Sequence, residues 1–192
     1  MSIVLRPPQS FEPLDGIPLI SALAIAQAIN EIHGLRTSVR WPNDVILNNQ
    51  KLAGTLVEMK VTGNALQYLV LGLGVNANFP SSMLIGVSGN AATLSDTVGH
   101  SVDIGELAAR ILFELEHLYE HVRARSYLEV LDLLRQNECS RGKEVVIGLE
   151  KELIQGAFEE YLTLTTVQIV DHHVIRRQIQ TSSVVSVAYL DA

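Results

Sequence analysis

A single cysteine, Cys139, leaves this 192-residue chain with no internal disulfide to close, and no Cys/His spacing resembles a zinc site. A reducing compartment, the cytoplasm, is the expectation. Basic residues are scarce: 14 Lys and Arg against 21 Asp and Glu give a net charge of -7. That balance excludes nucleic-acid binding by counterion release, which needs clustered cations facing phosphates. No apolar run approaches the roughly 18 residues of a membrane span, and Met1 leads into Ser2-Ile3-Val4-Leu5-Arg6-Pro7 without a basic leader. Neither membrane insertion nor export is expected. Fixed repeats and long low-complexity tracts are also lacking.

What is there is a globular composition, 47% apolar and 18% charged, with length for one medium domain and a small one. Ser2–Leu5 reads as a short strand stopped by Pro7 and Pro8. Residues 18–33 read as a helix, with Pro18 in its first turn and Gly34 as its stop. Leu19, Ile20, Leu23, Ile25, Ala26, Ile29 and Ile32 leave that helix little polar face, so it should lie buried across a sheet. Strand-like runs at 37–41, 45–47, 52–60 and 67–76 are divided by Pro42-Asn43-Asp44, Asn48-Asn49 and Gly63-Asn64, which suit tight reversals. An antiparallel meander follows. A looser segment, 80–100, leads to two amphipathic helices, opened by Asp103 with Glu106 and by Ser126 with Glu129, and both ending before Cys139. Strand periodicity then returns at 144–149, 156–158, 162–170 and 184–190. The expected fold is α+β, a mixed β-sheet with helices on one side over residues 1–137, followed by a small β-barrel over 138–192.

The most informative residues are Arg40-Trp41-Pro42-Asn43-Asp44 and Lys51-Leu52-Ala53-Gly54 on either side of a tight hairpin. Such a hairpin brings Asn43, Asp44 and Lys51 to one sheet edge. Lysine suits a carboxylate or phosphate, Asn and Asp offer oxygens to Mg2+ or to a ligand's donors, and Ala53 and Gly54 permit close approach to the backbone. A polar hairpin tip without function is the plainer reading of these residues taken alone.

Three ordered motifs decide between the two. Arg40 to Asp44, Lys51-Leu52-Ala53-Gly54-Thr55-Leu56-Val57-Glu58 and Gly72-Leu73-Gly74-Val75-Asn76-Ala77-Asn78 resemble, in order and spacing, the motifs of biotin protein ligases. Arg141-Gly142-Lys143-Glu144-Val145 is similar to the start of that family's SH3-like C-terminal domain. The resemblance implies formation of biotinyl-AMP from biotin and ATP with Mg2+, then transfer of biotin to a lysine of a biotin carboxyl-carrier protein domain. It implies Lys51 as the catalytic contact to the biotin carboxylate and α-phosphate, and Asp44 as the residue that orients or deprotonates the acceptor lysine. Asn43 would position phosphate or its Mg2+, Asn76 would bind on the nucleotide side, and Gly54 and Gly74 would let biotin and nucleotide approach the backbone.

The family's Gly-Arg-Gly-Arg-x-Gly loop precedes the strand matched by Ser2–Leu5, and these residues hold no counterpart. The resemblance therefore implies an N-terminally truncated ligase domain that works with a complementing N-terminal fragment, or that self-associates as a homodimer. The alternatives are an inactive relative that binds carrier protein or ligand, and a lipoate-type ligase. The remaining polar residues read plainly. His172-His173 reads as exposed turn residues rather than a metal pair, since adjacent strand residues would point to opposite faces, His33 suits a helix C-terminus, Cys139 is a structural thiol and Glu150-Lys151-Glu152 is a solvated turn. Gly72-x-Gly74 lacks the third glycine of a dinucleotide fingerprint.

Overall fold

The computed structural model describes residues 1–7, 14–63, 65–84 and 91–190; Pro8, Asn64 and the stretch 85–90 of the expected loose segment lie outside them. The first sheet has the order β1-β5-β4-β3-β2, built from β1 (Ser2–Leu5), β2 (Ser38–Arg40), β3 (Asp44–Leu47), β4 (Gln50–Thr62) and β5 (Ala65–Val75). Every pairing in it is antiparallel, β1 on β5 included, with Ser2 opposite Gly72. The expectation of a mixed sheet is thus corrected. Short reversals join β2 through β5, and a hairpin can only return its strand antiparallel.

Turn chemistry follows the sequence. Asn48 and Asn49 both take positive φ, 50° and 62°, the paired left-handed conformation that a two-residue hairpin between Leu47 and Gln50 requires. The chain between β2 and β3 turns through a cis bond at Trp41-Pro42.

Helix α1 (Ile17–His33) has Pro18 in its first turn and ends at Gly34 with φ 62°. It packs on β2, β3 and β4 with eleven of its seventeen residues buried, and α3 (Ile104–Arg123) covers its other side. The helices bank on one side of the sheet, as expected. Helix α2 (Leu94–Val98), capped by Thr93, falls inside the segment read as loose; at one turn and a half it is too short to display a period.

Asp103 caps α3 as expected, its Oδ1 accepting from the Gly105 and Glu106 amides at 2.7 and 3.0 Å. Ser126, which precedes α4 (Tyr127–Asn137), makes no side-chain cap. The preceding Arg125 takes φ 63° and Ser126 takes ψ 51°, outside the extended geometry from which a hydroxyl reaches the first turn. Glu129 instead pairs with His121 Nδ1 at 2.8 Å, bridging α4 to α3.

The C-terminal part is a second antiparallel five-stranded sheet in the order β10-β6-β7-β8-β9, made of β6 (Glu144–Leu149), β7 (Leu153–Tyr161), β8 (Thr166–Asp171), β9 (Arg176–Gln180) and β10 (Val184–Tyr189). The run read as one strand from 162 begins only at Thr166. The Leu162 and Thr163 amides both donate to Thr166 O in a turn that tucks Leu164 inward, 5% exposed. Strand β9 carried no signal in the sequence, because Ile179 is the one buried residue of Arg176–Gln180.

Candidate functional site

Alternation along β4 decides which side chains face the sheet's helix-free side. Thr55 faces α1, its hydroxyl donating to Pro18 O at 2.8 Å, so Gly54 faces the other way. Unbroken alternation would turn Lys51, three positions earlier, toward the helices. A bulge prevents this: Val45 pairs with Ala53 but the adjacent Ile46 pairs with Lys51, leaving Leu52 as the extra residue. Leu52 and Ala53 both enter the core, and Lys51 emerges on the face of Gly54 and Asp44. Asp44 lies directly across from Gly54.

On that face Lys51 Nζ is 2.5 Å from Asp44 Oδ1, while Arg40 holds Asp44 Oδ2 at 2.9 Å. Asp44 thus has one cation on each oxygen. Asn43 donates its side-chain amide to Thr55 O at 2.5 Å, and the Thr55 amide returns a bond to Asn43 O at 3.0 Å, which fixes the loop before β3 onto β4. The floor beside Lys51 is glycine: Gly54 pairs with Gly74 and Leu56 with Gly72. A methyl group on Gly74 would meet nothing nearer than Gly54 O at 3.6 Å, so the floor is open backbone.

Lys51 stands between two depressions. One, of about 400 Å³, spreads over Gly54, Gly72, Gly74, Asn43 and Ser2. The other, of about 660 Å³, runs from Arg40, Asp44 and Thr55 to β10 of the C-terminal sheet. Asn76 does not reach either. Its side-chain nitrogen donates to Lys51 O at 3.3 Å and Ala92 O at 3.0 Å, and its backbone amide to Leu52 O at 2.9 Å. In this structure Asn76 braces the bulge that presents Lys51. Asn78 likewise clamps Val102 with two 2.8 Å bonds. Among the described residues no group of three or more His, Cys, Asp or Glu side chains converges to hold a metal ion.

Residues that the sequence reading left without a role complete the surroundings. Trp41 is buried, 1% exposed, against Phe158 of the C-terminal sheet at 6.4 Å between ring centroids. Tyr189 of β10 lies under the Arg40 guanidinium, 5.1 Å from ring centroid to Cζ, and donates to Trp41 O at 2.9 Å. Burial pushes the Tyr189 phenol above its ordinary range, against the opposing pull of its bond with Ser140. Burial also raises the Cys139 thiol, against the pull of Lys143, and its Sγ donates to Val39 O at 3.5 Å. A protonated, hydrogen-bonded thiol fits a structural role. His172 and His173 are exposed in the β8–β9 turn, and Arg141-Gly142-Lys143 forms the turn into β6, with Gly142 at φ 76°.

Superposition on known structures defines the class of architecture. The apo biotin protein ligase of Aquifex aeolicus aligns with a TM-score of 0.82 at 24% identity, covering 98% of this chain and 80% of the other. Its complex with biotin and ATP aligns at 0.81 over 98% and 77% of the two chains, also at 24% identity. The fold is that of a biotin protein ligase. In sequence, the profile described as Biotin/lipoate A/B protein ligase family matches residues 1–76. The bifunctional ligase/repressor BirA of Escherichia coli K12 is 32% identical over 142 residues, 72% of this chain and 43% of BirA. BirA of Bacillus subtilis 168 is 28% identical over 131 residues, 68% of this chain and 40% of that protein. The chain belongs to the biotin protein ligase family, and its matches span less than half the length of these curated relatives.

Proposed function

We propose that this chain carries the lysine-centred site of a biotin protein ligase, joining biotin to a lysine of a biotin carboxyl-carrier protein domain at the expense of ATP. The observation that carries this reading is the Lys51–Asp44 pair, 2.5 Å apart, standing beside a glycine floor and at the mouth of a second groove.

Two anions must first come together. The biotin carboxylate attacks the α-phosphorus, the bond to the β-phosphate breaks, and pyrophosphate leaves. Lys51 is the mobile cation suited to sit between carboxylate and phosphate, lowering their repulsion as charge builds on the phosphoryl oxygens. Gly54 and Gly74 admit biotin and nucleotide to the backbone, and Asn43, with Mg2+ brought by the phosphates, orients the polyphosphate. In the second step the acceptor amine attacks the anhydride carbonyl, an amide forms and AMP leaves with the electron pair. When Lys51 moves to the anions, Asp44 Oδ1 is released and faces the groove that borders β10. There it accepts a hydrogen bond from the acceptor ammonium and assists loss of its proton. Asn76, by bracing Lys51 from the backbone, supports the nucleotide side indirectly.

The C-terminal sheet, from residue 138, is read as the SH3-like barrel of the family, a reading supported by its five short strands and the single 3-10 turn, Thr181–Ser183, between β9 and β10. Its edge strand β10 forms one wall of the acceptor groove. A cytosolic protein is the natural setting, consistent with a lone thiol that makes no disulfide.

The test incubates the purified chain with biotin, Mg-ATP and a carrier domain and scores acceptor mass and AMP release. It is run with and without a fragment bearing the family's Gly-Arg-Gly-Arg-x-Gly loop, and with lipoate in place of biotin. Biotin-dependent mass gain supports the proposal, and gain only with the fragment establishes a two-piece enzyme or a homodimer completed by it. Lipoate gain alone moves the specificity. No gain in any arm leaves a carrier- or ligand-binding module. Lys51→Ala abolishes AMP release; full activity in that variant removes Lys51 from the mechanism.

A further inference from the structure

The Arg40–Asp44 pair is held from outside its own sheet. Arg40 and Asp44 face each other across the β2–β3 ladder, and the guanidinium that grips Asp44 Oδ2 rests on the Tyr189 ring. Tyr189 is itself fixed: its hydroxyl donates to Trp41 O at 2.9 Å and is 3.1 Å from Ser140 Oγ, which accepts from the Trp41 amide at 3.4 Å. These contacts pin β10 to the residue next to Arg40. Arg40 Nε is buried with no hydrogen-bond partner, so the aromatic face and one carboxylate oxygen are the contacts that set the guanidinium's position.

We infer that Tyr189 is a positioning residue: its ring keeps Arg40 on Asp44, so that Asp44 retains a cationic partner when Lys51 leaves it for an anionic ligand. A half-buried carboxylate with one cation grips it; with two, it can release the more mobile one without being stranded. Lys51, 40% exposed in its side chain, is the mobile partner, and Arg40, 15% exposed, is the fixed one. The C-terminal sheet would thus govern how readily Lys51 is released. The consequence for catalysis rests on the ligase reading; the hold on Lys51 does not.

Lysine acylation separates the two. The full chain is treated briefly with dilute acetic anhydride, and modification of Lys51 is measured by peptide mass spectrometry against the exposed Lys60. Tyr189→Met fills the space without an aromatic face, Tyr189→Phe keeps the face without the hydroxyl, and Arg40→Gln removes the cation. Circular dichroism verifies folding, with Tyr189→Leu as substitute should the Met variant not fold. Lys51 should label several-fold more slowly in Tyr189→Met and Arg40→Gln, and much closer to the wild-type rate in Tyr189→Phe, which keeps the ring and loses only its anchor on Trp41 O. Unchanged Lys51 labelling in a folded variant without the aromatic face overturns the inference, as does equal slowing in Tyr189→Phe. In turnover, Tyr189→Met should raise the apparent KM for biotin and ATP by more than it lowers kcat, with rescue by Phe. A wild-type chain that forms no biotinyl-AMP defeats the ligase reading and leaves the labelling result to judge Tyr189.

Discussion

Gly54 lies directly opposite Asp44 in the β3–β4 ladder, and a Cβ on Gly54 would stand 3.2 Å from Lys51 Cε, 3.3 Å from Lys51 Nζ and 3.4 Å from Asp44 Oδ1. The glycine is what leaves room for the ion pair. Because those atoms are side-chain ends, an alanine can be accommodated by a shift of a few tenths of an ångström, whereas a branched residue cannot. Gly54→Ala should keep stability within about 1 kcal/mol and weaken ligand binding modestly. Gly54→Val should fold yet bind biotin and ATP at least about tenfold more weakly, a loss near 1.4 kcal/mol. Calorimetric titration beside a thermal melt checks both, and equal affinity in Gly54→Val would show that the ligand does not lie on this floor.

Asp44 binds two cations, so its neutral isostere leaves Arg40 and Lys51 facing each other without a counter-charge. Asp44→Asn should cost about 1–3 kcal/mol of stability, the usual penalty for leaving charged partners unsatisfied. It should impair transfer to the acceptor more than release of pyrophosphate, since only the second step uses the carboxylate. Urea melts give the first quantity and single-turnover assays of each step give the second. Equal loss in both steps would argue that Asp44 serves chiefly to place Lys51.

The two capping serine and aspartate signals in the sequence look alike but differ in the fold. Asp103 caps with two hydrogen bonds, Ser126 with none. Asp103→Ala should destabilise by about 1 kcal/mol, and Ser126→Ala should be neutral within about 0.5 kcal/mol. Thermal melts of the two variants side by side make the comparison.

What was legible in the sequence was whatever depended on local order. The apolar crowding of α1 announced a buried helix, and Asn48-Asn49 announced the hairpin that delivers Lys51. Asn43, Asp44, Lys51 and Gly54 do meet at one place. The bulge at Leu52 was not legible, because a single out-of-step residue in an apolar run leaves no periodic trace, yet it decides the face on which Lys51 emerges. Tyr189 lies 148 residues from the Trp41 carbonyl it bonds; only packing of the C-terminal sheet brings them together. Ser126 and β9 failed for opposite reasons: a cap motif without cap geometry, and an edge strand too polar to alternate.

The β8–β9 hairpin should loosen in acid. Asp171 Oδ1 accepts the Ile175 and His173 amides at 2.9 Å each, and Oδ2 takes Arg177 Nε at 3.1 Å. The Ile175 amide first, with Arg177 and the His173 amide behind it, holds the Asp171 carboxyl below its ordinary 3.8. Arg176 first, then Gln168, holds Glu159 of β7 below its ordinary 4.5. A carboxyl lowered in the folded state binds its proton more readily when unfolded. The stability from both groups is therefore fully present above their ordinary values and drains as pH falls through the lowered ones. Hydrogen exchange followed by NMR should show the Ile175 and His173 amides losing protection on acidification before those of α1. Asp171→Asn keeps an acceptor oxygen but not the charge, so it should weaken this hairpin at neutral pH and flatten its acid dependence. Unaltered acid dependence of the Ile175 amide in that variant would assign the effect elsewhere.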